Sequence, residues 1–291
     1  MIAEEETAVF QRWVSSEEAA QLRAQFYRMP ALLKGLPGAT GVPLDVEAAV
    51  LGIAPQLMER CRRELRAAAA AAVAESLRKS WIAPAVERVR QRYASTTVVC
   101  LGDSITADHQ SWAEMLALAL TPRVRVVNEG RSGDTTTDLI SRFHSSLPAH
   151  RPDTVMVFAG TNDARTYRGG LTQPALCDEQ IRANLAELAA LVGNLGARLM
   201  WLTPAAVDDE RVRTHPSTAS SGARWTSAGC ARVAAIVRER TEPVADLGVA
   251  FNDCDRRTDL LLPDGLHPNV AGQTLIFERA VAMLDAHGED R

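Results

Sequence analysis

The sequence predicts a three-layer α/β domain with a five-stranded parallel sheet, preceded by an all-α region. From about residue 96 onward, short β-branched or apolar runs alternate with helical patterns. Runs that are apolar throughout are typical of parallel strands covered by helices on both faces. Residues 1 to about 94 carry only helical patterns. We therefore expect two parts, a helical region over 1–94 and an α/β domain over 95–291.

The helical region shows recognisable start and break signals. Ser16, followed by two glutamates, predicts the start of a helix that runs to about Arg28. A composition rich in Ala, Leu, Glu and Arg predicts helix from Asp45 to about Ser80, with a break near Pro55. A last helix is expected over Pro84–Tyr93. This region could act as a lid, as a dimerisation surface or as a dock for another protein, and we favour packing against the α/β domain.

In the α/β domain, each predicted strand is followed by a predicted helix. The strands are expected at Thr97–Leu101, Val124–Val127, Thr154–Phe158, Arg198–Leu202 and Val249–Phe251. The helical patterns cover about 108–120, 135–146, 174–194, 226–242 and 270–286. Ligands of such sheets bind beyond the carboxyl ends of the strands, so the residues that follow each strand matter most.

Composition narrows the function classes. The formal net charge of −4 gives no basic surface for nucleic acid. No run of 18 apolar residues suggests a membrane span, and the acidic start lacks the features of a secretory signal, so a cytoplasmic location is expected. The five cysteines are scattered without zinc-type spacing, which favours free thiols. A nucleophilic cysteine is disfavoured because no cysteine lies in a motif comparable to those below.

The first motif, Gly102-Asp103-Ser104, follows the first strand. Ser104 is expected at a strand-to-helix junction, where its hydroxyl and nearby backbone N–H groups face the cleft. The alternative is that Ser104 merely caps the helix. Two further motifs, which include Gly133 and Asn162, follow the second and third strands and could donate to an oxyanion. Taken singly, the Gly133 motif is better explained by ordinary turn chemistry, and the Asn162 motif alone is weak evidence.

The last motif places Asp264 three residues before His267. This spacing can bring the carboxylate to one imidazole nitrogen and leave the other nitrogen facing the cleft, as a general base requires. A lone Asp-His pair is also common in surface turns. Together, however, the four motifs supply one nucleophile, oxyanion donors, an acid and a base, which four unrelated turns would seldom do.

These motifs resemble, in the right order, the conserved blocks of the SGNH (GDSL-type) hydrolase family over residues 96–287. Gly102-Asp103-Ser104-Ile105 matches the first block with Ile in place of Leu, and Asp264-Gly265-Leu266-His267-Pro268 matches the last closely. The resemblance implies a flavodoxin-like sheet without metal or organic cofactor. It implies Ser104 as nucleophile, His267 as base and Asp264 as its partner.

By the same resemblance, the oxyanion hole is formed by the N–H groups of Ser104 and Gly133 and by the Asn162 side chain. The implied reaction is acyl transfer from a small or carrier-bound ester or thioester. Water or another acceptor then releases the acyl group, so an esterase and an acyltransferase both remain open. A non-catalytic binding protein is the third alternative. Separately, the N-terminal helices could form a homodimer. The candidate substrate-binding residues are Asp103, Arg165 and Trp225.

Overall fold

Helices form the part of the N-terminal region that the structure describes, as predicted. The computed structural model describes residues 11–28, 42–167, 173–219, 222–252 and 257–288. The region contains α1 (Glu17–Phe26), α2 (Leu44–Val50), α3 (Pro55–Ser76) and α4 (Ile82–Arg92). The Ser16 side chain accepts a hydrogen bond from the Ala19 N–H, which confirms the predicted helix start. The break before Pro55 is also confirmed, because Pro55 occupies the first turn of α3.

A five-stranded parallel sheet forms the centre of the rest of the chain. Its strands are β1 (Thr97–Gly102), β2 (Arg125–Gly130), β3 (Thr154–Phe158), β5 (Arg198–Leu202) and β7 (Val244–Ala245), in the order β2-β1-β3-β5-β7. The short strands β4 (Thr166–Tyr167) and β6 (Ala223–Arg224) form a separate antiparallel pair. In the register of the sheet, Gly102 lies opposite both Gly130 and Phe158, so three strands end at one level.

Helices cover both faces of the sheet. They are α5 (Ser104–Ala107), α6 (Trp112–Leu120), α7 (Thr136–Ser146), α8 (Asp178–Asn194), α9 (Asp209–Thr214), α10 (Pro216–Ala219), α11 (Ser227–Arg238), α12 (Leu247–Asn252) and α13 (Val270–His287). Short 3₁₀ helices span Pro148–His150 and Arg257–Leu260. The predicted α/β class with its parallel sheet is therefore confirmed.

One predicted strand was wrong. The expected strand Val249–Phe251 lies in α12, and the fifth strand is the two-residue β7 just before it. The helix begins where it does because Thr203 Oγ1 accepts from the Leu247 N–H (2.8 Å) and Asp246 Oδ1 accepts from the Val249 N–H (3.1 Å). The apolar run buries one helical face, because its spacing also fits a period of 3.6 residues.

The sheet separates two apolar clusters. Along β1, Val98 and Cys100 point into one cluster, whereas Val99 and Leu101 point into the other. The first cluster also contains buried side chains of α3, α4, α6 and α13. The N-terminal region thus packs against the α/β domain, as we favoured, and the boundary near residue 94 stays a prediction. No helix among the described residues is long and apolar enough to cross a membrane.

Gly130, at the end of β2, allows the close approach of α5. A Cβ atom at this position would lie 2.2 Å from the Ala107 backbone nitrogen. We expect Gly130→Ala to lower the free energy of unfolding by about 1–3 kcal/mol, because the backbone of α5 must move to accept the methyl group. Thermal and urea unfolding would measure this loss. The matched control is Gly193→Ala in α8, where a Cβ meets nothing within 4 Å and stability should be unchanged or slightly higher. Equal effects of the two substitutions would contradict the prediction.

Candidate active site

Ser104 opens the one-turn helix α5 directly after β1. The Asp103 side chain caps this helix, since its Oδ1 accepts a hydrogen bond from the Ile105 N–H at 2.9 Å. Ser104 is 8% exposed, so its hydroxyl lies at a nearly closed part of the surface. The junction between strand and helix is therefore where the sequence predicts it.

Side chains from three other parts of the chain hold the carbonyl groups of α5. The Ile105 oxygen accepts from Gln273 of α13 at 3.0 Å, and the Thr106 oxygen accepts from Asn128 of β2 at 2.7 Å. The Ala107 oxygen accepts from Arg28, which follows α1, at 2.5 Å. The last carbonyls of a helix lack partners within the helix, so these three bonds fix α5 in place.

The structure brings the side chains of Ser104, His267 and Asp264 into one hydrogen-bonded row. Ser104 Oγ lies 2.9 Å from His267 Nε2, and His267 Nδ1 lies 2.6 Å from Asp264 Oδ2. Asp264 Oδ1 accepts from the backbone N–H groups of Leu266 (2.9 Å) and His267 (3.0 Å). This order lets an imidazole take a proton from a hydroxyl while a carboxylate fixes its tautomer.

A closed turn presents Asp264 and His267 together. The Gly265 N–H donates to the Leu262 oxygen at 3.0 Å, and the Leu262 N–H donates to the His267 oxygen at 2.8 Å. A β-bridge between Leu261 and Pro268 closes the base of the turn. The spacing of three residues therefore brings acid and base together within one backbone unit.

Each partner favours the charged form of the other. Burial opposes ionisation of Asp264, but the charge and hydrogen bond of His267 and the backbone N–H groups outweigh it, so the pKa of Asp264 is lowered. Burial likewise disfavours the imidazolium, but the charge and hydrogen bond of Asp264 outweigh it, so the pKa of His267 is raised. The charges of Asp103 and Asp108, when ionised, also raise the pKa of His267.

The predicted oxyanion donors lie directly after β1, β2 and β3. Gly133 has φ +88°, a left-handed conformation that favours glycine. Within the described part of the chain, the N–H groups of Ser104 and Gly133 donate to no acceptor. The Asn162 amide donates to the Asp134 carbonyl at 3.0 Å, which leaves its second N–H for another acceptor. The geometry thus provides donors, while their catalytic role stays a prediction.

Sequence reasoning missed two residues that touch this site. Arg142 of α7 is buried and donates to the Gly102 oxygen at 3.1 Å and to the Asp134 carboxylate at 2.6 Å, which ties the end of β1 to the Gly133 loop. Phe26 of α1 stacks on the His267 ring. A lone arginine on a helix, such as Arg142, usually indicates a solvated face. An aromatic residue in a separate helical region, such as Phe26, belongs to no catalytic motif. The sequence therefore contained no pattern that would have identified either residue.

The candidate substrate-binding residues differ in their surroundings. Arg165 lies beside two aromatic rings, with its guanidinium carbon 5.3 Å from the Tyr167 centroid and 6.0 Å from the Trp225 centroid. Arg165 Nε and Trp225 Nε1 are buried and find no hydrogen-bond acceptor among the described residues. Burial raises the pKa of Asp103 to about 7, and its Oδ2 has no partner in the same part of the chain. Substrate contact by these three residues stays a prediction.

Comparison with known proteins identifies the family. A sequence model of the GDSL-like lipase/acylhydrolase family matches residues 100–275. The chain belongs to this family. As a GDSL-type hydrolase, it shares the sheet and the helical layers described above with solved structures. The lipase/acylhydrolase from Enterococcus faecalis superimposes with a TM-score of 0.52 at 24% identity, over 67% of this chain and 98% of that one.

Two curated relatives are ester-hydrolysing enzymes by name. An arylesterase of Vibrio mimicus is 26% identical over 202 residues, which span 67% of this chain and 90% of the relative. The thioesterase 1/protease 1/lysophospholipase L1 of Escherichia coli K12 is 27% identical over 190 residues, 64% of this chain and 81% of the relative. The SGNH (GDSL-type) resemblance predicted from the four motifs is therefore confirmed.

The raised pKa of His267 predicts the pH profile of the GDSL hydrolase. The imidazole can accept the Ser104 proton only when neutral, so kcat/KM should rise with pH and level off above a midpoint higher than the ordinary histidine value of 6.5. Asp264→Asn removes the charge that raises this pKa. The midpoint should then move to lower pH, and the plateau should fall about 10⁴-fold, the scale seen when a triad aspartate becomes asparagine.

Asp285→Asn is the control for this profile, because Asp285 has a lowered pKa through its pairing with Arg88, away from the imidazole. Its profile should match that of the native enzyme. The uncatalysed hydrolysis of the ester is subtracted at each pH. An unchanged midpoint in Asp264→Asn would then contradict the prediction.

Proposed function

We propose that this GDSL hydrolase cleaves esters or thioesters through a covalent acyl-Ser104 intermediate, with His267 as general base and Asp264 as its orienting acid. The observation that carries the proposal is the continuous row of hydrogen bonds from Ser104 Oγ to Asp264 Oδ2, at 2.9 and 2.6 Å. Names of relatives support an ester or thioester as the substrate class.

The reaction has two halves. Ser104 Oγ attacks the substrate carbonyl carbon as its proton passes to His267 Nε2, and the resulting imidazolium then gives this proton to the leaving alkoxide or thiolate. A water molecule next attacks the acyl carbon and gives a proton to the same nitrogen. The Ser104 oxygen leaves, takes the proton back, and the carboxylic acid is released.

Oxyanion stabilisation is the second requirement. The N–H groups of Ser104 and Gly133 and the free N–H of Asn162 supply uncharged donors from three neighbouring loops. Uncharged, preorganised donors stabilise the negative charge that develops on the carbonyl oxygen, without titrating near neutral pH. Arg142 supports this arrangement because it holds the Asp134 carboxylate beside Gly133.

Hydrolysis is favoured over transfer to another acceptor because both relatives named above are hydrolases. An acetylxylan esterase of Geobacillus stearothermophilus, 27% identical over 158 residues, extends the range of esters among relatives to an acetylated polysaccharide. A non-catalytic binding role is disfavoured because the nucleophile and base positions are occupied and in contact. A cytoplasmic location and a homodimer through the N-terminal helices stay predictions.

Covalent labelling tests the nucleophile. We expect a fluorophosphonate probe to label the native enzyme and p-nitrophenyl acetate to be hydrolysed, because both need an activated serine hydroxyl. Ser104→Ala should abolish labelling and lower kcat by several orders of magnitude. Ser111→Ala, which removes the cap of α6, is the control and should still be labelled. Labelling of Ser104→Ala at the native rate would discard the nucleophile assignment.

Asn162 provides the test of the oxyanion hole. Asn162→Ala removes a donor whose contribution is largest in the transition state, so kcat should fall about 10²–10³-fold while KM changes little. Asn194→Ala, at the exposed end of α8, is the matched control and should leave both constants unchanged. A change confined to KM would show that Asn162 binds the ground state instead.

A further inference from the structure

The end of α1 lies directly against the nucleophile turn. The Gln25 side chain donates to Asp108 Oδ2 at 2.9 Å, and the Gln25 carbonyl accepts from the His109 N–H at 3.2 Å. Arg28 donates to the Ala107 and Asp108 carbonyls. Two residues of the N-terminal region, Gln25 and Arg28, thus contact the three residues at which α5 ends and the next turn begins.

Phe26, between these anchors, covers the catalytic imidazole. The Phe26 and His267 ring centroids are 4.2 Å apart and the ring planes differ by 29°, a stacked arrangement. Phe26 is only 4% exposed. Its ring therefore excludes water from one face of the imidazole. The electron-rich face of a benzene ring also attracts a cation, so it stabilises the imidazolium that forms in each half-reaction.

A buried ion pair fixes the backbone on either side of Phe26. Arg62 of α3 binds both carboxylate oxygens of Glu47 at 2.7 and 2.9 Å. The same guanidinium donates to the Ala24 carbonyl at 3.3 Å and to the Tyr27 carbonyl at 3.0 Å, on either side of Phe26. A bidentate, buried arginine pair has a defined geometry, so the backbone that carries the ring is held rigidly.

The opposite end of α1 is anchored to the segment after β5. Glu18 Oε1 lies 3.1 Å from His215 Nε2, and the Trp13 ring contacts the His215 ring edge-on with centroids 6.2 Å apart. The helix therefore extends from the nucleophile turn to the loop region beyond β5.

We propose that Phe26 is a positioning residue for His267, and that α1 contributes it as part of the active site. Because the imidazole is the group through which it acts, the inference rests on the proposed function. The ring holds the imidazole plane toward Ser104 Oγ and stabilises its protonated form, so its loss lowers kcat more than it raises KM. A residue that only fills space would be replaced equally well by an aliphatic side chain.

Two conservative substitutions separate these roles. Phe26→Leu keeps the apolar volume and loses the aromatic face, whereas Phe26→Tyr keeps the face. With p-nitrophenyl acetate, we expect kcat of Phe26→Leu to fall about 5-fold, the scale of a partly desolvated cation–π contact, with KM within twofold of native. Phe26→Tyr should retain kcat within twofold. Phe26→Met is a second aliphatic variant, for use if Phe26→Leu unfolds near the assay temperature.

Phe143→Leu in α7 is the matched control. Phe143 is also buried, and its ring contacts a histidine, His144, edge-on at 5.7 Å, but that histidine lies outside the catalytic row. This substitution should lower the melting temperature and leave kcat unchanged. Native kcat in Phe26→Leu, or equal losses in Phe26→Leu and Phe26→Tyr, would overturn the proposal.

Activity of Ser104→Ala distinguishes failure of this inference from failure of the proposed function. If native turnover depends on Ser104 while Phe26→Leu turns over at the native rate, only the role of Phe26 is wrong. If Ser104→Ala retains native turnover, the nucleophile assignment fails, and with it the positioning of its base by Phe26.

Discussion

A helix of one turn cannot satisfy its own carbonyl groups, and the site is organised around this constraint. Helix α5 carries Ser104 at its first position, and three of its carbonyls accept from Gln273, Asn128 and Arg28. These donors belong to the last helix, the edge strand and the N-terminal region. Segments that are far apart in sequence therefore meet at the helix that carries Ser104, and the position of its hydroxyl depends on all of them.

The same principle extends to the loops that surround α5. Gly130 permits β2 to end against α5, and Arg142 binds the backbone of β1 and the side chain of Asp134. The Asp264–His267 turn is closed by its own backbone bonds. Ser104 is thus fixed by contacts from neighbouring elements, and the Asp264–His267 turn by its own backbone. Such preorganisation limits the rearrangement that a reaction requires.

The sequence was most informative for features whose residues lie close together in the chain. Glycine-bearing polar motifs after apolar runs predicted the sheet, the junction at Ser104 and the pairing of Asp264 with His267, because these features are local. The fifth strand was misplaced, since the apolar run at Val249–Phe251 fits a buried helix face as well as a strand, and the caps at Thr203 and Asp246 decide between them. The role proposed for Phe26 depends on its contact with His267, which lies more than 200 residues away in the chain, and no local sequence pattern encodes such a contact.

Gln25, Phe26 and Arg28 come from one short segment, yet they contact both the end of the helix that carries Ser104 and the imidazole of His267. They belong to a region that precedes the part of the chain matched by the family. Substitutions in this segment can therefore change the surroundings of Ser104 and His267 without changing either residue. The surroundings of Ser104 and His267 therefore extend beyond the part of the chain that the family model covers.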